Sequence, residues 1–158
     1  MEATTEVLTW EHRPHPNPVV KSMLLTHGTA ESYDLKKSRR FYEEFLGLSC
    51  VQIAPESVIF ALGVRFHVVV LAFGQAPRPQ GIANHWGVQV GTKEEVDEAY
   101  KKCIELKDEY GIREVVPPAD QSWGAYTLLF EDLDHNWWEI EYYPGNLTDD
   151  FFAFGDVT

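Results

Sequence analysis

The apolar positions of this chain follow one order of periods, and then follow it again. Residues 23 to 32 read as a strand, after which Asp34 caps a helical stripe of Leu35, Ser38, Phe41, Tyr42, Phe45 and Leu46 that Gly47 ends. Alternating runs near 49–54, 56–63 and 65–73 predict three strands, and the Pro- and Gly-bearing stretch from Gln75 to Gly81 reads as a linker. The second copy opens with a strand from His85 to Val90. A capping box of Thr92 and Glu95 then starts a helix with the stripe Val96, Ala99, Tyr100, Cys103, Leu106 and Tyr110, closed by Gly111. Strands near 112–116, 123–131 and 137–143 complete it, with Asp134-His135-Asn136 as the turn before the last.

The order βαβββ, linker, βαβββ predicts an α+β fold of two tandem modules, about 22–74 and 83–144, within a single domain 22–144. Residues 1–21 read as an extended N-terminal arm and 145–158 as a C-terminal tail. Strands bent into an open, barrel-like curved sheet around a cavity, with one helix per module packed outside, satisfy both the strand alternation and the single stripe on each helix. The repeat also carries chemistry. His27 and His85 each lie seven residues before their cap, Asp34 or Thr92, so two imidazoles can meet at one centre if the modules pair.

Composition narrows the partners. A net charge of −12 argues against nucleic acid or an anionic membrane, because binding phosphate relies on clustered Lys and Arg. No apolar run approaches the roughly 20 residues that span a bilayer, and the polar start EHRPHPNP lacks a signal core; a cytoplasmic location is expected. Cys50 and Cys103, without CxxC spacing, read as buried reduced thiols. His12 and His15 in the arm and His135 in the turn are not taken as ligands. The aromatic tail with Phe151, Phe152 and Phe154 reads equally as a lid, an interface strip or ordinary packing.

In the last strand, alternation puts Trp137, Glu139, Glu141 and Tyr143 on one face and Trp138, Ile140 and Tyr142 on the other. The repeated order, the helix phrase SRRFYEEFLGL, the strand opening NHWGVQV and the closing DLDHNWWEIEYY together resemble the glyoxalase, bleomycin-resistance and extradiol-dioxygenase superfamily, also called vicinal-oxygen-chelate proteins, over residues 22–144.

That resemblance implies metal ligands on the first strand of each module and on the last strand, which here are His27, His85 and Glu139. The first module ends in RFHVVVLAFG, with valines near the position matching Glu139, so three protein ligands remain. Two histidines and one carboxylate leave adjacent coordination positions open and suit Fe(II), with Mn, Zn or Ni as possibilities. The resemblance further implies a homodimer. It makes His67 a catalytic histidine assisting proton transfer, with Tyr126 as a catalytic phenol standing in from another position. A substrate pocket is expected from Trp86, Trp123, Leu129, Phe130, Trp137 and Glu141, where Trp123 and Leu129 occupy places that carry His and Tyr in extradiol enzymes. The leading expectation is extradiol-type ring cleavage of a catechol-like aromatic molecule with dioxygen. The alternatives are a metal-dependent isomerase, epimerase or lyase of the glyoxalase type, with a carboxylate such as Glu141 moving a proton, and a metal-free binding protein of the drug-resistance type.

Overall fold

The computed structural model describes residues 17–20, 25–63 and 66–154. His12, His15, Met23 and the rest of the arm before residue 17 lie outside the described residues. Leu24–Tyr143 forms one compact unit, whose elements follow the repeated order. The first module is β1 (His27–Glu31), α1 (Leu35–Arg40) running into a π-helical turn (Phe41–Phe45), β2 (Ser49–Ala54), β3 (Ser57–Ala61) and β4 (His67–Leu71). The second is β5 (His85–Gln89), α2 (Lys93–Glu105), α3 (Lys107–Tyr110), β6 (Val115–Asp120), β7 (Tyr126–Glu131) and β8 (Trp137–Tyr142). Each module makes a four-stranded mixed sheet, ordered β1-β4-β3-β2 and β5-β8-β7-β6, with the first strand of each parallel to the last. The result is an α+β fold of two tandem modules with open, curved sheets.

Local chemistry starts the helices where the sequence places them. The Asp34 carboxylate accepts from the backbone N–H groups of Lys36 and Lys37 at the head of α1. Thr92 and Glu95 form the capping box of α2. The stripe after Asp34 reads as one uninterrupted helix, whereas the structure widens its last turn: the Leu46 N–H donates to the Phe41 carbonyl, five residues back. The wider turn lets the adjacent residues Phe41 and Tyr42 both be fully enclosed.

Those rings join the two modules into one core. Phe41 meets Phe130 and Trp138 edge-on, and Tyr42 packs against Phe60 of β3 and Trp138 of β8. Strand alternation supplies the rest: Val58, Phe60, Val68 and Val70 from one sheet, and Leu128, Phe130, Trp138 and Ile140 from the other, are buried. Gly28 faces inward as well. A Cβ there would lie 2.2 Å from Cη2 of Trp86, so β1 can approach β5 this closely only without a side chain at residue 28. Burial pushes the Cys50 thiol up to about 11 and that of Cys103 to about 12, which keeps both protonated.

The turn before β8 does more than reverse the chain. Asp134, fully buried, accepts the Tyr33 N–H and the Ser38 hydroxyl from the first module, and the Asn136 amide donates to the Glu31 carbonyl. Asp132 accepts the Asp134 and Asn136 N–H groups and the Trp138 indole N–H. His135 takes the left-handed conformation, φ 65°, that this tight turn requires. Burial pushes the Asp132 carboxyl up to about 7, with Asp134 adding to the effect and the Trp138 and backbone donors opposing it. A carboxyl raised above its ordinary 3.8 stabilises the fold fully below that value and loses the contribution as pH climbs through about 7. The unfolding free energy of the wild type, measured against Asp132→Asn in urea titrations, is therefore expected to fall between these limits by on the order of 3 kcal/mol.

At the far edge, the sequence reads a strand at 112–116 that stops before Pro117-Pro118. The structure carries β6 through both prolines to Asp120, with the register slipping between Val116 and Ala119. An edge strand tolerates this because half of its N–H groups have no ladder partner to lose. The tail, read equally as a lid, an interface strip or ordinary packing, contains a helix, α4 (Leu147–Phe154), on which Phe151 and Phe152 are exposed. Among the described residues no helix is long and apolar enough to cross a membrane.

Candidate metal centre

Each sheet has a helix-side face, filled by the core, and an open face. The β5, β8 and β7 pairings set three rungs on the open face of the second sheet: His85, Trp137 and Glu131; then Gly87, Glu139 and Leu129; then Gln89, Glu141 and Thr127. With no side chain at Gly87, the Glu139 carboxylate reaches toward the imidazole, and Oε2 lies 3.3 Å from Nε2 of His85. The other ring nitrogen is already committed: Nδ1 of His85 is 2.8 Å from the Ile82 carbonyl oxygen, which can only accept, so Nδ1 carries the hydrogen. In its neutral form the imidazole turns its Nε2 lone pair toward a carboxylate oxygen. Two electron-rich atoms at this distance need a positive charge between them, either a proton or a metal cation. The residues present thus fit a divalent ion, with Nε2 of His85 and Oε2 of Glu139 as donors and the Ile82 carbonyl fixing the ring.

Glu141 lies on the same face one rung away. Burial raises its pKa, the Glu139 charge adds to the rise, and His85 opposes it. Thr127, buried beside it in register, accepts from the Gln121 amide at 3.0 Å.

The open face of the first sheet repeats half of this pattern. His27 and His67 are register partners whose rings stack 5.5 Å apart at 13°. Nδ1 of His27 is 2.9 Å from the Thr26 hydroxyl, which can donate or accept there and holds the ring through its Nδ1 edge. Two residues further along, the position topologically equivalent to Glu139 is Val69. The expected three-ligand group is not assembled within one chain: among the described residues no three His, Cys, Asp or Glu side chains gather where they could hold a metal ion. His85 and Glu139 come together, and His27 pairs with His67 on the other sheet.

Several expected site residues lie off the open face, and the two-residue period explains those that sit on strands. Leu129 and Trp137 share the open face with Glu139, as expected of wall residues. Phe130, one position from Leu129, must face the other way, and it is enclosed in the core. Trp86 follows His85 and likewise turns to the helix side, against Gly28 and near Phe66. Tyr126 also points there. Its hydroxyl donates to Asp97 of α2 at 2.8 Å, with the Lys93 ammonium 5.0 Å over its ring, so it faces that helix and not the face that carries His85 and Glu139. Trp123 sits half-exposed in the turn before β7. Sequence reasoning missed Ile82 and Thr26 as partners that orient the histidines. Thr26 was detectable as a hydroxyl beside His27, whereas a linker carbonyl leaves no trace in residue types.

A family model described as the Glyoxalase/Bleomycin resistance protein/Dioxygenase superfamily matches residues 25–140. The chain belongs to this superfamily. No curated protein sequence matches it. Among solved structures it is similar to a FosX fosfomycin resistance protein from Listeria monocytogenes, complexed with Mn(II) and sulfate, at 19% identity over 81% of this chain and 96% of that one, TM-score 0.62. A glyoxalase/bleomycin resistance protein/dioxygenase from Nocardioides aligns at 24% identity over 80% and 91% of the two chains, TM-score 0.58. A lactoylglutathione lyase from Agrobacterium tumefaciens aligns at 20% identity over 78% and 96%, TM-score 0.57. At these identities the likeness shows the fold.

Proposed function

We propose that this protein is a metal-dependent enzyme acting on a small molecule with two adjacent oxygens, and that its centre is completed between two copies of the chain. The observation that carries the reading is Nε2 of His85 held 3.3 Å from the Glu139 carboxylate, with the opposite ring nitrogen donating to the Ile82 carbonyl. His85 and Glu139 of one copy supply two donors. His27 sits on the matching strand of the other module, held by Thr26 through Nδ1, and its counterpart from a second copy supplies the third. A homodimer of this kind joins two open faces that a single chain leaves apart. Fe(II), Mn, Zn and Ni all accept such a donor set. When bound, the ion supplies Lewis-acid polarisation of the two adjacent substrate oxygens.

The residues around it favour proton-transfer chemistry, as in an isomerase, epimerase or lyase. Glu141 lies next to the donors with its affinity for a proton raised, which suits a group that takes a proton from one substrate atom and returns it to another. Leu129 and Trp137 offer apolar surface on the same face, beside Glu139. A second reading, extradiol ring cleavage of a catechol-like aromatic with dioxygen, is favoured by His67, stacked on His27 where it can hand on a proton. It is weakened by Tyr126, which turns toward α2.

Elemental analysis of anaerobically prepared protein beside His85→Ala tests the centre. The wild type is expected to hold about one metal ion per chain and the variant to lose it, with affinity down by more than about a hundredfold. Wild-type protein that stays free of metal after loading at neutral pH defeats the proposal and favours a metal-free binding protein. Turnover supported by Mn or Zn without oxygen uptake separates proton transfer from ring cleavage.

A further inference from the structure

We infer that the centre takes neutral or cationic ligands and turns anionic ones away. The inference rests on the proposed metal site and adds the charge class of its substrate. Among the described residues, no Lys or Arg lies on any of the eight strands, although the chain has 13 of them. The open faces carry carboxylates in their place: Glu31 on the first sheet, and Glu131, Glu139 and Glu141 on the second.

These acids are not equally available. Arg78 reaches Glu31 with both its backbone N–H and its guanidinium, and is spent there at the far end of β1 from His27. Glu131 lies 2.7 Å from Nδ1 of His135, and Glu139 faces His85. Glu141 makes no ion pair among the described residues and stands one rung from Glu139 on the same face, where it borders whatever occupies the site.

The usual devices for holding an anion are missing from the described strands and turned inward at the helices. Phosphate and carboxylate groups are recognised by bidentate Arg, by Lys, or by the free N–H groups of a helix start. The starts of α1 and α2 are already closed by Asp34 and by the Thr92–Glu95 box, each presenting an acid where an anion would dock. The net charge of −12 adds a repulsive field over the whole approach. A ligand bearing a phosphonate, or the carboxylates of a glutathione adduct, would bring that further charge toward Glu141 with no Lys or Arg on the described strands to offset it, since the metal ion is engaged by the two chelating oxygens. A neutral or amine-bearing ligand with the same pair of chelating oxygens would not.

Three probes with one dihydroxyphenyl head and different tails test this: 4-methylcatechol, 3,4-dihydroxybenzoate and dopamine, titrated into Mn(II)-loaded protein by calorimetry. Each affinity is divided by that for free Mn(II). Dihydroxybenzoate is expected to bind at least roughly tenfold more weakly than methylcatechol, dopamine no more weakly than methylcatechol, and the gap to shrink as salt screens it. Glu141→Gln is expected to narrow the gap by roughly threefold or more. Dihydroxybenzoate binding as tightly as methylcatechol, or no binding by any probe, overturns the inference. Failure of the metal site itself is read separately, by elemental analysis. If the protein holds no metal, the same order of the three ligands, followed by tryptophan fluorescence on metal-free protein, still decides the question of charge.

Discussion

Mixing His27→Ala protein with His85→Ala protein is expected to restore metal binding and activity that neither has alone. If each centre draws His27 from one copy and His85 with Glu139 from the other, a dimer of either variant has no intact centre. A mixed dimer has one complete centre and one that lacks both histidines, because a twofold axis makes the exchange reciprocal. An equimolar mixture allowed to exchange subunits contains half mixed dimers, each with one working centre of two, so it should regain roughly a quarter of the wild-type activity. The pure variants should each stay below about one per cent, as expected when a metal ligand is removed. Recovery requires no new contact, only the pairing of intact faces. A mixture as inactive as its components would mean that the three donors never meet across two chains.

Trp138→Ala should produce the largest loss of stability. The ring is almost completely enclosed and touches Phe41, Tyr42 and Phe60, so it links the first module's helix and sheet to β8. Its indole N–H also donates to Asp132, which is buried and depends on that donor. Truncation opens a cavity among rings that belong to different elements and cannot collapse together, at a cost of about 3–5 kcal/mol. Trp138→Phe keeps most of the volume and drops only the donor, so about 1–2 kcal/mol is expected from the Asp132 bond. Urea denaturation of the two variants beside the wild type separates packing from hydrogen bonding.

The period of the apolar residues carried the fold a long way. Alternation alone assigned Trp137, Glu139 and Glu141 to one face of β8 and Trp138 and Ile140 to the other, and the register agrees. The same rule, applied one residue further, turns Trp86, Tyr126 and Phe130 away from the face that carries His85 and Glu139. The helix after Asp34 was legible, while its π-helical turn was not, because widening a turn by one residue leaves the stripe almost unchanged. The buried bonds of Asp134 to Tyr33 and Ser38 were hidden for another reason. They join residues about a hundred positions apart, and DLDHN reads locally as an ordinary polar turn. The repeat made His27 and His85 equivalent, but equivalence within a repeat does not state which copy of the chain supplies the mate.

The paired prolines of β6 have a consequence beyond the local slip in register. Residues 117 and 118 offer no amide hydrogen along the outermost strand of the second sheet, so an extended peptide arriving there would find a broken template. Growth of that sheet by strand addition is blocked on this flank. Runaway stacking into fibrils is thereby discouraged where a flat, fully hydrogen-bonding margin would have invited it.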